Sequence, residues 1–180
     1  GEPLWPVFPS PDGQAFVATT RTEAVTPDRL WLYRFDDDSW SAIDYGPGWT
    51  QIEASTGWTA DSRRILVTIQ SEWGDELEGD EKLTSDLVES DPRDGTRRTV
   101  ASFDHRSYLS SVVCPDGRLA AVRSETATVF VEIATGAVSN RVVTGATSRF
   151  PSISWAPTSD RITLDIGTKI AIVGVSPDLE

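Results

Sequence analysis

The sequence repeats one short pattern four times, and this periodicity limits the possible folds more than any other feature. Each copy is a turn followed by an apolar, β-prone run. The aligned turn positions are Asp12, Asp61, Asp116 and Thr158, separated by 49, 55 and 42 residues. In two copies the turn is Pro-Asp-Gly, where Pro presets φ, Asp hydrogen-bonds nearby backbone and Gly tolerates positive φ. Such a turn predicts a tight connection between two antiparallel strands.

A second hairpin follows the first in three of the copies. It covers residues 30–40, 86–96 and 128–138, and a further β-prone run comes after each. Each repeat therefore predicts four short strands, which we call a to d. Four antiparallel strands every 40 to 50 residues or so are typical of a β-propeller blade. The sequence thus predicts an all-β, propeller-like fold, with a β-sandwich of similar strand count as the alternative.

The repeats predict a single propeller-like domain over the whole chain, or a fragment of a propeller. Their bounds are about 5–46, 52–103, 108–145 and 151–176. The last repeat supplies only three strands, so we expect three complete four-stranded blades and one incomplete blade. Three arrangements stay open: part of a larger propeller, a small four-bladed ring, and a half-ring that pairs with another copy. Because unpaired β edges favour association, the last arrangement predicts a homodimer through open β edges.

Several turn motifs resemble a known family. Ser-Pro-Asp-Gly in the first copy, Cys-Pro-Asp-Gly in the third and Trp-Ala-Pro in the fourth resemble the TolB-like, or PD40, variety of WD40-like repeat. Asp61-Ser62 and Thr158-Ser159 depart from that pattern, in which Asp-Gly is expected. The resemblance implies a bacterial, extracytoplasmic β-propeller, periplasmic or at the cell surface. It implies either an interaction scaffold or the propeller that precedes a prolyl oligopeptidase-like hydrolase domain.

The charge of the chain argues against several partners. The formal net charge is −12, whereas nucleic acids and anionic membrane surfaces both attract Lys and Arg. No run of about 18 apolar residues predicts a membrane-spanning segment, so we expect no membrane insertion. The chain begins at Gly1 rather than Met, and we expect it to be a processed product or an expressed piece.

Much of the negative charge is local. Residues 72–94 contain ten acids and two bases, a net charge of −8. The b–c connection of the second repeat holds six of these acids, Glu72 and the five that we select as candidate contacts: Asp75, Glu76, Glu78, Asp80 and Glu81. This segment predicts a docking surface for a protein or peptide partner of basic character. We assign no cofactor, with two alternatives left open: Ca²⁺ at 72–81, since Ca²⁺ takes clustered oxygens, and a solvated loop without a partner.

Aromatic residues fall into two groups. The b–c and d–a connections of a blade lie on one face of a propeller, and connections on a rigid scaffold often carry binding residues. Trp49, Trp73 and Tyr108 fall in these connections, with His105 close by, and we predict that they contact a partner. The other tryptophans lie in or beside strands and are predicted to pack between blades: Trp5, Trp31, Trp40, Trp58 and Trp155.

The sequence contains no recognisable catalytic constellation. His105 is the only His, and its neighbour Asp104 does not complete a triad because adjacent strand residues point to opposite sides. Cys114, the only Cys, is predicted to be a small buried residue rather than a reactive thiol. The repeated turn aspartates favour a structural role. We therefore expect a non-enzymatic interaction module, with the accessory propeller of a larger hydrolase and a carbohydrate-active enzyme on a propeller scaffold as alternatives.

Overall fold

The structure is a computed structural model. It describes residues 4–20, 29–44, 51–70, 83–105, 110–124, 127–139, 143–144, 153–166 and 169–175. These residues form fifteen β-strands: β1 (Leu4–Pro9), β2 (Ala15–Thr20), β3 (Arg29–Arg34), β4 (Ser39–Ile43), β5 (Gln51–Trp58), β6 (Ile65–Gln70), β7 (Leu83–Ser90), β8 (Arg97–His105), β9 (Ser110–Val113), β10 (Leu119–Arg123), β11 (Ala127–Glu132), β12 (Val143–Thr144), β13 (Ile153–Trp155), β14 (Arg161–Ile166) and β15 (Lys169–Gly174).

The strands form four antiparallel sheets in succession along the chain. Three sheets have four strands each, in the orders β1-β2-β3-β4, β5-β6-β7-β8 and β9-β10-β11-β12, and the fourth consists of β13-β14-β15 among the described residues. We call these sheets blades one to four. The predicted all-β, propeller-like fold with an incomplete last blade is confirmed. No helix long and apolar enough to cross a membrane occurs in the part of the chain that the structure describes.

The blades stack side by side through their first strands. Strand β1 lies beside β5, β5 beside β9, and β9 beside β13. This order brings the face of each blade against the face of the next, as in a propeller. The first turn of every blade therefore lies at the same end of the stack, next to the first turn of its neighbour.

Three apolar cores lie between consecutive blades. The buried residues between blades one and two are Val17, Leu30, Leu32, Trp58, Ile65, Val67, Ile69 and Val88. Those between blades two and three are Leu66, Leu87, Val100, Ala120, Val122, Val131 and Ile133. Those between blades three and four are Ala121, Phe130, Ile162 and Leu164. Each core is thus shared by two sheets, and burial of this apolar surface holds the stack together.

Strand alternation explains how a single strand serves two cores. Strand β6 is buried at every position, because Ile65 and Val67 face blade one while Leu66 faces blade three. Successive strand residues point to opposite faces of a sheet. A strand covered on both faces consequently has an almost continuous apolar sequence, as β6 does.

Candidate functional site

All first and second turns of the blades lie at one end of the stack, which we call the turn face. The first turns cover residues 10–14, 59–64, 114–118 and 156–160, and the second turns cover residues 35–38, 91–96 and 133–137.

A carboxylate organises the first turn of blades one to three in the same way. In blade one the Ser10 hydroxyl donates to Asp12 Oδ1 over 2.6 Å, and the Gln14 N–H donates to the same oxygen over 3.0 Å. In blade two the Thr59 hydroxyl and the Arg63 N–H donate to Asp61 Oδ1 over 2.6 and 3.0 Å. The repeated aspartates therefore close turns, as their repetition predicts.

Blade three uses a thiol where the other blades use a hydroxyl. Cys114 Sγ donates to Asp116 Oδ1 over 2.6 Å and accepts the Leu119 N–H over 3.0 Å. Burial, together with the hydrogen bond to Asp116, raises the pKa of the Cys114 thiol. A buried thiol that stays protonated is a poor nucleophile. The residue is a small buried group, as predicted from the sequence, with the added role of a turn donor.

The same hydrogen bonds set the ionisation of the turn aspartates. The Ser10 hydroxyl and the Gln14 N–H lower the pKa of Asp12. The Thr59 hydroxyl and the Arg63 N–H do the same for the pKa of Asp61. For Asp116, burial acts to raise the pKa, but the hydrogen bonds from Cys114 and Arg118 together outweigh it and the pKa is lowered. These groups are ionised at neutral pH and do not serve as proton donors.

Hydrogen bonds also join the turns of different blades. The Asp12 N–H donates to Ser62 Oγ over 3.0 Å, which links blade one to blade two. The Asp116 N–H donates to Ser159 Oγ over 3.1 Å, which links blade three to blade four. Both serines have positive φ, 58° for Ser62 and 60° for Ser159, at the position where blades one and three have Gly. The serine copies thus supply a side-chain acceptor that glycine lacks.

Two tryptophans reinforce these links. The Trp58 indole N–H donates to the Phe8 carbonyl over 2.9 Å, and the Trp155 indole N–H donates to the Val112 carbonyl over 3.0 Å. Each bond reaches back from one blade to the first strand of the preceding blade. The prediction that both residues pack between blades is confirmed, and their N–H groups have a defined partner in addition.

A charged cleft of about 690 Å³ opens on the turn face of blade two. Its walls are the two turns of that blade, and Gly117 of blade three closes one side. The residues that line it are Thr59, Ala60, Asp61, Arg63, Arg64, Glu89, Asp91, Arg93, Asp94 and Gly117. Three arginines and four carboxylates therefore face one open space.

An ion-pair network forms the floor of this cleft. Glu89 is nearly buried, and its Oε2 lies 3.1 Å from Arg64 Nη1 and 2.6 Å from Arg98 Nε. Arg98 also donates from Nη2 to the Ile133 carbonyl of blade three over 2.6 Å. A buried carboxylate requires such charged partners to offset its loss of hydration. The network fixes the second turn of blade two against blade three.

The rim of the cleft is held in a similar way. Arg93 Nε lies 3.1 Å from Asp91 Oδ1, and Arg93 Nη2 donates to the Arg63 carbonyl over 3.4 Å. The Thr96 hydroxyl and N–H lower the pKa of Asp94. The arginines present N–H donors and the carboxylates present acceptors, which is suited to binding a polar or charged chain. Among the described residues, no group of three or more His, Cys, Asp or Glu side chains is placed to hold a metal ion.

Most of the site residues predicted from the sequence lie outside the described residues. These are Trp49, Trp73, Asp75, Glu76, Glu78, Asp80, Glu81 and Tyr108. His105 ends β8, where its backbone pairs with Leu83. The predicted loop-face contacts, and the suggested Ca²⁺ site at 72–81, therefore remain predictions.

Sequence reasoning missed the cleft, although one signal for it was present. Glu89 directly follows the apolar pair Leu87-Val88 in a β-prone run, and Arg97-Arg98 follows directly after the next turn. A carboxylate in a buried strand needs a cationic partner, and the second strand of a hairpin is the nearest source of one. Glu89 and Arg98 are in fact cross-strand partners.

Comparison with known proteins supports the fold alone. No protein-family model and no curated protein matches the sequence. TolB from Acinetobacter baumannii is similar in structure, with a TM-score of 0.66 and 13% identity over 96% of this chain and 41% of TolB. The Swd1 β-propeller domain of Myceliophteria thermophila gives 0.66 and 12% identity over 97% of this chain and 52% of that one. The acylaminoacyl peptidase of Pyrococcus horikoshii is similar with a TM-score of 0.62 and 15% identity, over 96% of this chain and 31% of the peptidase.

These three similarities agree that the chain is built from propeller blades. In each case nearly all of this chain is matched, but it spans only about a third to a half of the other chain. At identities this low, similarity of structure carries no information about ligands or reactions.

Proposed function

We propose that this chain is a non-enzymatic protein-interaction scaffold, a TolB-like (PD40) propeller module that binds a protein or peptide partner at the ends of its blades. The observation that carries the proposal is the cross-linking of the turns. The bonds from Asp12 to Ser62 and from Asp116 to Ser159 tie neighbouring blades together. Blades that are fixed against one another form a rigid scaffold for the connections in which the proposed contacts lie.

The chemistry of the chain favours a basic partner. Its net charge of −12 and the acidic segment 72–81 attract Lys and Arg side chains over long range. Trp73 of that segment is a further proposed contact, together with Trp49, His105 and Tyr108. The proposal includes neither nucleic acid nor membrane insertion. The similarity to TolB supports an extracytoplasmic location in a bacterium, periplasmic or at the cell surface.

The cleft on blade two offers a second surface for the same kind of partner. Its carboxylates accept hydrogen bonds from Lys, Arg and backbone N–H groups, while Arg63 and Arg93 can donate to backbone carbonyls. The lowered pKa values of Asp61 and Asp94 keep both groups charged at neutral pH. An extended peptide presents donors and acceptors in alternation, which fits such walls.

Titration with two synthetic peptides tests this proposal. One peptide is rich in Lys and Arg, and the other has the same length with Glu and Asp in their place. We expect the basic peptide alone to bind, measured by fluorescence anisotropy, and the dissociation constant to rise with added salt as the charges are screened. Equal binding of both peptides, or none of either, would contradict the proposal.

Two variants that each remove two charges identify the face that binds. Asp75→Asn with Asp80→Asn neutralises part of the acidic segment, whereas Asp91→Asn with Asp94→Asn neutralises part of the cleft. Asn retains the side-chain oxygen that accepts the turn N–H groups of Arg93 and Thr96. We expect the first variant to weaken binding of the basic peptide several-fold. A loss in the second variant instead would assign the contact to the turn face.

A second candidate function is that of an accessory propeller in a larger hydrolase of the prolyl oligopeptidase type. The similarity to acylaminoacyl peptidase favours it, because this chain matches only 31% of that protein. The natural reading frame beyond Val175 tests this candidate. A following segment with a Gly-x-Ser-x-Gly nucleophile turn would support it, and a stop codon would contradict it.

A further inference from the structure

Among the described residues, the face of blade four that points away from blade three is uncovered and carries two exposed isoleucines on its last strand. Ile170 and Ile172 of β15 are 78% and 70% exposed, whereas Val173 points the other way and packs against blade three. Ile170 pairs with Asp165, which lies seven residues after the turn position of blade four. Leu87 pairs with Thr68, which lies seven residues after the turn position of blade two, so Ile170 and Leu87 are equivalent. Leu87 is fully buried because blade three covers it. The equivalent position is therefore buried in blade two and exposed to solvent in blade four.

The outward face of blade one carries a cluster of four aromatic rings. Phe16 lies 4.9 Å from Tyr33 and 5.3 Å from Trp40, measured between ring centroids, and Tyr33 lies 5.1 Å from Phe35. Phe35 and Trp40 are 56% and 44% exposed. This face is opposite the one that packs on blade two, because Val17, the neighbour of Phe16, belongs to that core.

The junction of blades two and three shows how such faces mate. Phe16 and Ala120 occupy equivalent positions, each four residues after the turn aspartate and each paired with the third strand, to Tyr33 and Val131. Ala120 and Val131 pack against Leu66 and Leu87 of blade two. By this equivalence, the aromatic face of blade one is the surface that matches the isoleucine face of a blade four.

Charges at the rim of the two faces are complementary. At the junction of blades two and three, Arg98 donates to the 133–134 turn and shares Glu89 with Arg64. Arg161 is the equivalent of Arg64, three residues after the turn position; its side chain is 67% exposed, and its Nε lies 3.6 Å from Asp160 of the same turn. The 35–38 turn is the equivalent of the 133–136 turn and contains three consecutive aspartates. Arg161 on blade four and these acids on blade one therefore lie at the same end of the two faces.

We propose that these two faces form a head-to-tail interface between two copies of this chain, in which blade four of each copy packs on blade one of the other. Two such interfaces close a ring of eight blades. Two copies together have about the length of the Swd1 β-propeller domain, of which one chain matches 52%. The proposal replaces pairing of strand edges with packing of blade faces, and it does not depend on what the cleft binds.

Light scattering coupled to size exclusion tests the proposal with one variant on each face. The wild-type chain elutes with twice its monomer mass. Phe35→Glu on blade one and Ile170→Glu on blade four each raise the dimer dissociation constant by at least about tenfold, because their equivalents Ile133 and Leu87 are buried at the junction of blades two and three. An equimolar mixture of the two variants regains a dimer, since one of its interfaces joins two unaltered faces.

Val138→Glu is the matched control. Val138 of blade three is an apolar residue that is 45% exposed, close to the 56% of Phe35, and it lies on neither of the two uncovered faces. This variant keeps the dimer mass. Circular dichroism verifies that each variant is folded, and Tyr33→Glu replaces Phe35→Glu if that variant is not. A monomeric wild type overturns the proposal and assigns the faces to further blades of a longer chain. A dimer that survives Phe35→Glu overturns the head-to-tail arrangement.

Discussion

The junctions between blades one and two and between blades three and four are built alike, whereas the junction between blades two and three is different. In the two outer junctions a tryptophan N–H and a serine hydroxyl reach back to the preceding blade. The middle junction instead uses the Arg98 bond to Ile133 and a 2.7 Å hydrogen bond between the Thr68 and Ser111 hydroxyls. The structural unit that repeats is therefore a pair of blades.

The two departures from the Pro-Asp-Gly pattern recur at equivalent positions, Ser62 and Ser159, and each lies in the second blade of a pair. Positive φ is unfavourable for L-residues such as Ser62 and Ser159. Their hydroxyl oxygens nevertheless accept the hydrogen bonds that link the two blades of each pair. The middle junction depends on small residues instead, because a Cβ on Gly117 would lie 2.6 Å from the Ala60 nitrogen. Within a pair, the link depends on a serine hydroxyl that Gly would lack. Between the pairs, close approach depends on the absence of a side chain at Gly117.

Removal of a linking tryptophan is expected to have the largest effect on stability. Trp58→Ala should lower the free energy of unfolding by about 3–5 kcal/mol, because it deletes a large buried side chain and leaves the Phe8 carbonyl without its donor. Trp155→Ala should cost less, since Trp155 is only half-buried at the end of the stack. Urea unfolding followed by circular dichroism measures both.

The conservative variants separate the hydrogen bond from the packing. Trp58→Phe and Trp155→Phe retain most of the ring and lose only the N–H donor, at a cost of about 1–2 kcal/mol each. Similar losses in the two variants would support equivalent pairs. A loss confined to Trp58→Phe would show that the pairs are not equivalent in energy.

The next largest effect is expected at the middle junction. Gly117→Ala should destabilise the protein by about 2–4 kcal/mol, because Ala is strained at φ +71° and its Cβ collides with the backbone of Ala60. Gly95→Ala is the matched control, since Gly95 has φ +73° but open space around the added Cβ. It should cost only about 1–2 kcal/mol. Equal losses for the two variants, measured in urea, would show that the close approach of the blades contributes nothing.

The repeat made the fold predictable from the sequence, whereas the contacts at the junctions between blades were not predictable from it. The Pro-Asp-Gly turns and the apolar runs after them specify hairpins locally, so four short-range signals were enough to infer four blades. A junction depends instead on pairs such as Asp12 and Ser62, which are 50 residues apart. The four-residue spacing from Trp58 to Ser62 recurs from Trp155 to Ser159, and that coincidence was the one available sign of a paired repeat.

The candidate site was less predictable than the fold. Glu89 and Arg98 form a cross-strand pair, which the hairpin of β7 and β8 implies. The contact of Glu89 with Arg64 joins β7 to the end of the first turn, and the hairpin does not imply it. The net charge of −8 over residues 72–94 does not distinguish a buried carboxylate from an exposed one. Glu89 is 6% exposed, whereas Asp94 in the following turn is exposed.

A smaller effect is expected from the serine link itself. Ser62→Ala should cost about 1 kcal/mol, because the Asp12 N–H loses its acceptor at a partly exposed site where water can replace it. Ser62→Gly should cost less than Ser62→Ala, since Gly also lacks the hydroxyl but relieves the positive φ. The same order at Ser159 would extend the result to the second pair. A Gly variant less stable than the Ala variant at either position would contradict this account.

The smallest expected effect is a dependence on pH that comes from the turn aspartates of blades one to three. Hydrogen bonds from Thr59 and the Arg63 N–H lower the pKa of Asp61 from 3.8. A carboxylate with a lowered folded-state pKa stabilises the fold above its ordinary value, and this contribution is lost as the pH falls through the lowered pKa. Urea unfolding at several values from about pH 7 to about pH 2 should therefore show stability falling only below about pH 4.

The Asn variants assign this loss to the turns rather than to the net charge. Asp61→Asn retains an oxygen that accepts the Arg63 N–H but does not titrate, so its stability should fall less steeply in acid than that of the wild type. Asp36→Asn removes the same charge from an exposed turn and should keep the wild-type slope. If both variants flatten the acid dependence equally, general charge repulsion and not the turn hydrogen bonds governs it, and the three aspartates then act on the fold only through their geometry.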